Sequence, residues 1–388
     1  MGRRPPPTLG TLATIAMVHV GFDGHVAPAA RLGSALARLG HSVIAWAPER
    51  FRSRVEVDGV TLRPHDPIAP PWPDVNWPHA FHVAVAEGTE RELTPLIEGL
   101  DDVGADLVVH DCQAPWGRLA AEFLGLPRVV SWPLFPPGRL GVPLWAEESD
   151  GESLRRIETS RMAIARRWGV EIGDRRSAFL SVGPPTVTYT TEWLVGDQSL
   201  PEGWCCVGPL LDERAPRRGS RERSLVYVAF GTSFSQDPEP FLLAMEALAD
   251  VHADVVVSLG NAPIGDRLGT PPPNITIHSF VDSRALLAEA AVHVTHGGAG
   301  SVTESLVAGV PMVCVPLGSD HAGWSTRVQE LGVGETTFAD AAAIRAAVIR
   351  LLEDDGPRAR AAAVRERLLA FDGVTRLQRL VDHVLANG

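Results

Sequence analysis

The chain has no lysine, so its 35 arginines carry all the permanent side-chain positive charge. This excludes a Schiff-base amine and the lysine of a phosphate-binding P-loop. It also hints at GC-rich coding. Cysteine is scarce: Cys112, Cys205, Cys206 and Cys314 form no C-x-x-C pair. Neither a zinc site nor a disulfide framework is expected, and a reducing cytoplasm is the simplest compartment. No D-x-D segment or histidine cluster offers a divalent ion a home, so no metal is expected. The net charge of −12 argues against nucleic acid and anionic membrane surfaces as partners. Long apolar runs are missing too. None reaches the roughly 18–20 residues that span a bilayer, so no stable membrane insertion is expected. Residues 11–20 are apolar, but His19 interrupts them and a turn follows directly, so they read as a first strand rather than a signal peptide.

What is present is enough chain for two domains: 388 residues, 45% of them hydrophobic. The organising stretch is residues 291–321, A-V-H-V-T-H-G-G-A-G-S-V-T-E-S-L-V-A-G-V-P-M-V-C-V-P-L-G-S-D-H. It reads as strand, tight turn, helix, strand. Gly297, Gly298 and Gly300 permit a sharp turn with close backbone approach. A helix starting near Ser301 stops at Gly309, with Pro311 beyond it. Its N-terminus presents backbone N–H groups and a positive dipole end beside His296 and Ser301, a site suited to phosphate. Glu304 lies one turn further on, where a carboxylate can accept ribose hydroxyls. Asp320 and His321 close the unit. The plain alternative is an ordinary glycine-rich βα turn.

The segments H-G-G-A-G-S-V-T-E-S-L, G-V-P-M-V-C-V-P and S-D-H, in that order, resemble the donor-binding signature of nucleotide-sugar glycosyltransferases with the GT-B fold. The resemblance is strongest to the branch of bacterial antibiotic and macrolide glycosyltransferases, which is related to plant secondary-metabolite glycosyltransferases, and it extends over nearly the whole chain. It implies an α/β fold: GT-B, two Rossmann-like, doubly wound parallel-sheet domains facing a cleft. Val207-Gly208-Pro209 resembles the end of the family's first domain, and residues 212–223 are charged and Pro/Gly-containing, as an exposed linker is. The expected division is 1–210 for acceptor binding, 211–223 as linker and 224–388 for the nucleotide sugar.

In the first half, residues 12–20 read as a strand, G-F-D-G-H-V-A-P as a loop, 29–39 as a helix and 41–47 as a strand, a βαβ unit. Ligands bind outside the carboxyl ends of such strands, where His25 sits. A histidine with a pKa near 6.5 can accept a proton at neutral pH. G-x-x-G-H-V-x-P is similar to the family's first βα unit, whose histidine is the general base, and this implies that role for His25. The alternative is a loop histidine capping the backbone. Residues 106–110 form another strand, followed by Asp111 at its carboxyl end. The resemblance makes Asp111 the residue that orients His25; a helix N-cap is the alternative, and His110 is a substitute. Residues 66–82 read as an irregular Pro-rich, aromatic loop whose Trp72, Trp77 and Phe81 either line an acceptor pocket or anchor the loop to the core. Strands are expected at 128–132 and 185–190, and a helix at 152–168. Trp132, Phe135 and Trp145 fall where the family's acceptor pockets vary, which makes them candidate acceptor contacts.

In the second half, strands are expected at 224–230, 254–259 and 275–280. The Gly231-Thr232-Ser233 turn resembles the loop that faces the donor diphosphate; Thr232 and Ser233 can bond phosphate or cap a helix. Phe280-Val281-Asp282-Ser283 departs from the family, which usually has Pro-Gln where Asp282-Ser283 stands. Base recognition then falls to the backbone of Val281. A second departure is Asp320-His321 in place of Asp-Gln, so one sugar contact passes to imidazole. Helices are expected at 341–352, 358–370 and 375–386, and in the family the last crosses back to the first domain.

The resemblance thus implies an inverting, metal-independent transferase of the hexosyltransferase type, with no cofactor beyond a nucleotide-diphosphate sugar as co-substrate. The implied donor is thymidine-linked. The implied acceptor is a hydroxyl of an apolar natural-product aglycone, such as a polyketide or macrolide of antibiotic biosynthesis. A homodimer stays open, as do two other functions: a GT-B nucleotide-sugar epimerase, and a non-catalytic helper of a partner enzyme.

Overall fold

The structure is a computed structural model. It describes residues 12–66, 68, 77–138, 151–170, 172–174, 176–196, 199–211, 223–232 and 236–387, with the backbone alone at 77–79. Trp72, Trp145 and Ser233 lie outside the described residues, as does the side chain of Trp77.

Two parallel sheets are stacked with helices. The first contains β1 (Thr14–Val18), β2 (Ser42–Ala47), β3 (Thr61–Pro64), β4 (Leu107–Asp111), β5 (Arg128–Trp132), β6 (Thr186–Thr188) and β7 (Trp204–Cys206), in the order 3-2-1-4-5-6-7. Its helices are α1 (Asp23–Arg38), α2 (Arg52–Val55), α3 (Trp77–Asp102), α4 (Pro115–Leu124) and α5 (Gly151–Trp168). The second contains β8 (Leu225–Ala229), β9 (Asp254–Ser258), β10 (Ile275–His278), β11 (Val292–Thr295), β12 (Met312–Cys314) and β13 (Gly334–Thr336), in the order 10-9-8-11-12-13. Its part of the chain supplies α6 (Glu239–Leu248), α7 (Ser283–Glu289), α8 (Ala299–Ala308), α9 (His321–Glu330), α10 (Ala341–Glu353), α11 (Asp355–Leu369) and α12 (Gly373–Asn387).

The central strands are apolar on both faces because helices cover both. Ile15 and Met17 of β1 face one side with Val43, Leu107 and Val109; Ala16 and Val18 face the other with Val108 and Val130. This is the reason continuous Val/Ile/Leu runs read correctly as buried parallel strands. In each sheet the strand order reverses once, between β1 and β4 and between β8 and β11. Such reversals leave a crevice at the carboxyl ends of the strands. Both crevices open onto one interdomain cleft of about 1890 Å³.

Four elements differ from the sequence-based expectation. Helix α1 begins at Asp23, so His25 is in its first turn and not in a loop. Pro28 forgoes one ladder bond, and the Phe22 carbonyl holds the turn by accepting from the His25 and Val26 amides. Helix α3 starts at Trp77 and runs 26 residues through Pro95, so the loop is shorter than expected. Trp204–Cys206 forms a short strand against β6 that the sequence-based expectation did not include. Helix α8 begins at Ala299, two residues before Ser301.

The domains are tied at two places. Phe135, Leu194 and Val195 from the first join Leu306, Trp324 and Val328 of the second in one apolar cluster. Helix α12 returns to the first domain, where Leu377, Val381, Val384 and Leu385 pack with Val43 and Val207. Their i, i+4, i+7, i+8 spacing makes one apolar stripe. Among the described residues no helix is long and apolar enough to cross a membrane.

Helix α12 enters through Gly373, where an added Cβ would lie 1.8 Å from the Val207 carbonyl oxygen. Gly373→Ala therefore forces α12 away from β7, and a loss of about 1–3 kcal/mol, the usual range for overpacking, is expected in chemical denaturation.

Candidate active site

His25 and Asp111 meet at the first reversal. β1 and β4 are neighbours in register, Val18 opposite His110, so the turn after β1 and the end of β4 converge. His25 Nδ1 and Asp111 Oδ2 are 2.8 Å apart. Asp111 is 0% exposed and His25 8%. The second carboxylate oxygen accepts from the Gln113 amide at 2.7 Å, so Asp111 also holds its own turn. A carboxylate only accepts, so Nδ1 of a neutral His25 carries the proton and Nε2 offers a lone pair. That orientation suits a general base. His110 points away: it is buried beside the Asp111 carbonyl, and burial pushes its pKa down to about 3.

His25, Asp111 and Cys112 have ligand-type atoms within 4.8 Å of one another. Burial pushes the Cys112 thiol well above its usual range. A thiol kept protonated is a poor metal ligand, and both oxygens of Asp111 are already engaged.

Across the cleft, the turn after β11 carries His296. The glycines beside it are required by close approach. A Cβ on Gly298 would sit 2.4 Å from its Nε2, and one on Gly231 2.8 Å from its Cε1. Gly300 faces open space instead. Gly298 caps α8 with no side-chain hydrogen bond, so the first amides of the helix are left for another acceptor. Ser301 is in that first turn, and Thr232 lines the same wall.

Burial holds His296 at about 4, opposed by a hydrogen bond with the Ala229 backbone. It is neutral near pH 7, a hydrogen-bonding imidazole and not a cation. His321 stacks edge-to-face on it at 4.4 Å. Nδ1 of His321 receives the Leu317 amide at 3.3 Å and the Gly318 amide at 3.1 Å. Its proton therefore sits on Nε2, and burial pushes its pKa down to about 2.

Other residues on this wall have extra structural tasks. Asp282 caps α7 by accepting from the Arg284 and Ala285 amides. Ser283 donates to Glu304 Oε2 at 2.9 Å, fixing a carboxylate on the cleft wall. The two residues that depart from the family's Pro-Gln are thus a helix cap and a Glu304 clamp. Val281 lines the cleft between them. Asp320 also lines it, but its Oδ2 accepts from the Phe135 amide at 2.7 Å and from Trp324 Nε1 at 3.1 Å. One oxygen of the expected sugar-binding carboxylate is therefore spent on joining the domains.

The aromatic residues divide. Phe81 lines the cleft, packed on Phe22 at 5.4 Å, and Phe22 lies 5.8 Å from the His25 ring. Trp132 and Phe135 do not line it, contrary to expectation. Trp132 is 2% exposed, donates to the Phe135 carbonyl and packs on Trp204. Phe135 turns its ring onto Trp324 at 4.9 Å. Both rings are drawn into apolar clusters that offer more burial than the cleft. Sequence reasoning missed Phe22, Arg31, His82, Gln113 and Leu134 on the wall. For Phe22 the neighbouring His25 was a usable signal; for the rest, folding alone brings them there.

Residues 242–376 match the family model of the erythromycin biosynthesis protein CIII-like C-terminal domain. Nearly the whole chain is similar to the oleandomycin glycosyltransferase of Streptomyces antibioticus, at 27% identity over 97% of this chain and 91% of that protein. The glycotransferase of kitacinnamycin is similar in structure, with a TM-score of 0.81 and 24% identity over 96% of this chain and 99% of that one. The glycosyltransferase VinC, solved in complex with DTDP, has a TM-score of 0.67 and 20% identity over 96% of this chain and 100% of that one.

Seven buried histidines have depressed pKa values: burial lowers His41 and His65, and lowers His19 and His296 to about 4, His110 and His293 to about 3 and His321 to about 2. Unfolded, each binds a proton near 6.5, so the unfolded state holds more protons below that pH. Their contribution to stability is complete above pH 6.5 and falls as pH drops towards the folded values, by up to about 1.4 kcal/mol per unit per histidine. Asp320, whose carboxyl burial raises, opposes this at the acid end. Melting temperatures are expected to fall steeply from pH 6.5 to 4; a flat profile would contradict the neutral buried histidines.

Proposed function

As a member of the nucleotide-sugar glycosyltransferases of the antibiotic branch, with the GT-B fold, the chain is a glycosyltransferase, and we propose that it moves a deoxysugar from a thymidine-diphosphate donor to a hydroxyl of an apolar aglycone, with inversion at the anomeric carbon. One observation carries this reading: the His25–Asp111 pair at one strand reversal faces the uncapped α8 terminus and His296 at the other.

The acceptor hydroxyl attacks the anomeric carbon as His25 Nε2 takes its proton. The bond from that carbon to the diphosphate oxygen breaks on the opposite face. Asp111 stabilises the imidazolium that forms. The leaving diphosphate meets α8 amides, Ser301 and Thr232. The Nε2–H of His321 adds a hydrogen-bond donor without a buried charge, and neutral His296, tied to the Ala229 backbone, packs beside it. These fixed donors take the place of a metal ion in stabilising the departing charge. Glu304, clamped by Ser283, accepts ribose hydroxyls, the Val281 backbone meets the base, and Asp320 Oδ1, which also accepts from Ser319 Oγ at 3.4 Å, accepts a sugar hydroxyl.

The acceptor side of the wall carries the apolar side chains Phe22, Phe81, Pro133 and Leu134 together with His82 and Gln113. That supports a polyketide- or macrolide-like aglycone, as does the similarity to the oleandomycin enzyme. An epimerase would need no such wall. The thymidine donor is supported by the neighbour solved with DTDP.

Calorimetric titration with thymidine and uridine diphosphates tests the donor site. Wild type is expected to bind the thymidine nucleotide more tightly, and His321→Ala, which removes the Nε2–H donor, to weaken it on the order of tenfold or more, the usual worth of a hydrogen bond to a charged group. Wild type that binds neither nucleotide would sink the proposal.

A further inference from the structure

We propose that Arg31, on the acceptor-side domain, is a binding residue for the donor diphosphate, reaching across the cleft to the anion held at the α8 terminus. The inference rests on the function proposed above and adds a residue that no donor motif contains.

Four observations place it. Arg31 is six residues beyond His25 on α1, about 9 Å along the helix axis. The donor must extend from its reacting carbon near His25 towards Glu304, and Arg31 lines the same cleft as both. Its guanidinium is close enough to Glu304 for that carboxylate's charge to act on it. It also lines, with Ala299, Gly300 and Thr303, a small void beneath the first turn of α8. Its Nε donates to the Pro209 carbonyl at 3.0 Å, which sets the plane of the guanidinium.

Charge balance points the same way. The other first-domain arginines on this wall have carboxylate partners: Arg38 pairs with Asp58, and Arg54 with Asp23. Among the described residues Arg31 has a carbonyl and no ion-paired carboxylate. Burial opposes its charge and pushes its pKa down from 12.5. A desolvated guanidinium is costly without an anion. A diphosphate offers planar pairs of oxygens that match its fork. In this arrangement α8 and His321 hold the diphosphate from one domain and Arg31 from the other, so the anion itself draws the cleft shut.

The test uses the full chain and three proteins: wild type, Arg31→Met and Arg31→Lys. Thymidine diphosphate and thymidine are titrated into each, with thermal melts to verify folding. Arg31→Met is expected to weaken thymidine diphosphate on the order of 10- to 100-fold and to leave thymidine unchanged. Arg31→Lys, which keeps the charge but loses the fork, is expected to fall between. Unchanged diphosphate binding in folded Arg31→Met would overturn the assignment. Equal loss for nucleotide and nucleoside would overturn it too, since it would place Arg31 on Glu304 or the 209 carbonyl. Wild type that binds no nucleotide would overturn the proposed function itself, a result separable from failure of the arginine alone.

Discussion

The bond between His25 Nδ1 and Asp111 Oδ2 is the interaction on which the site depends. It joins the turn after β1 to the end of β4, segments 86 residues apart. The parallel pairing of those strands brings the two ends together, and the reversal of strand order between them, which sends their connections in opposite directions, leaves the crevice. Burial makes the pair directional: with Asp111 sealed from solvent, only the Nε2 edge of His25 can meet a substrate. The second sheet repeats the device with different chemistry. Its reversal supplies unpaired amides, close-packed glycines and neutral histidines, all suited to an anion. One fold used twice thus gives, in the proposed reading, a base on one side of the cleft and an anion site on the other.

Holding the two halves in register is a separate task, and the structure assigns it to few residues. Asp320 binds the Phe135 amide and the Trp324 indole, and the Phe135 ring closes on Trp324. The same carboxylate borders the cleft, so a residue expected to serve the sugar also ties the two domains together. Helix α12 provides the second tie, and its fit against Val207 leaves no room for a side chain at Gly373. Catalysis by positioning needs such ties, because small misplacements at the reacting atoms cost much of the rate.

Much of this was legible in the sequence, for identifiable reasons. Strands β1, β4, β8 and β11 are short apolar runs buried on both faces, and His25, Asp111 and His296 stand where those runs end. Local punctuation therefore marked the strand ends that line the cleft. What was not legible depends on contacts distant in sequence. The first turn of α1 formed despite Pro28 because Phe22 could anchor it. Trp132 and Phe135 looked like pocket aromatics, but each found a better-packed neighbour, Trp204 and Trp324, that no local pattern announces. Ser283 looked like a lost recognition residue until Glu304, 21 positions away, came within hydrogen-bond distance. Arg31 carried no motif; its place on the cleft wall comes from the packing of α1 beside α8.

The assignment of His25 as the base that drives transfer is tested most directly by single-turnover sugar transfer with His25→Ala, with nucleotide-diphosphate binding measured on the same protein. The expected result is intact nucleotide binding and transfer slowed by about 10²- to 10⁴-fold, the usual contribution of a positioned general base. Transfer at the wild-type rate with binding intact would contradict the assignment and leave the His25–Asp111 pair a structural contact.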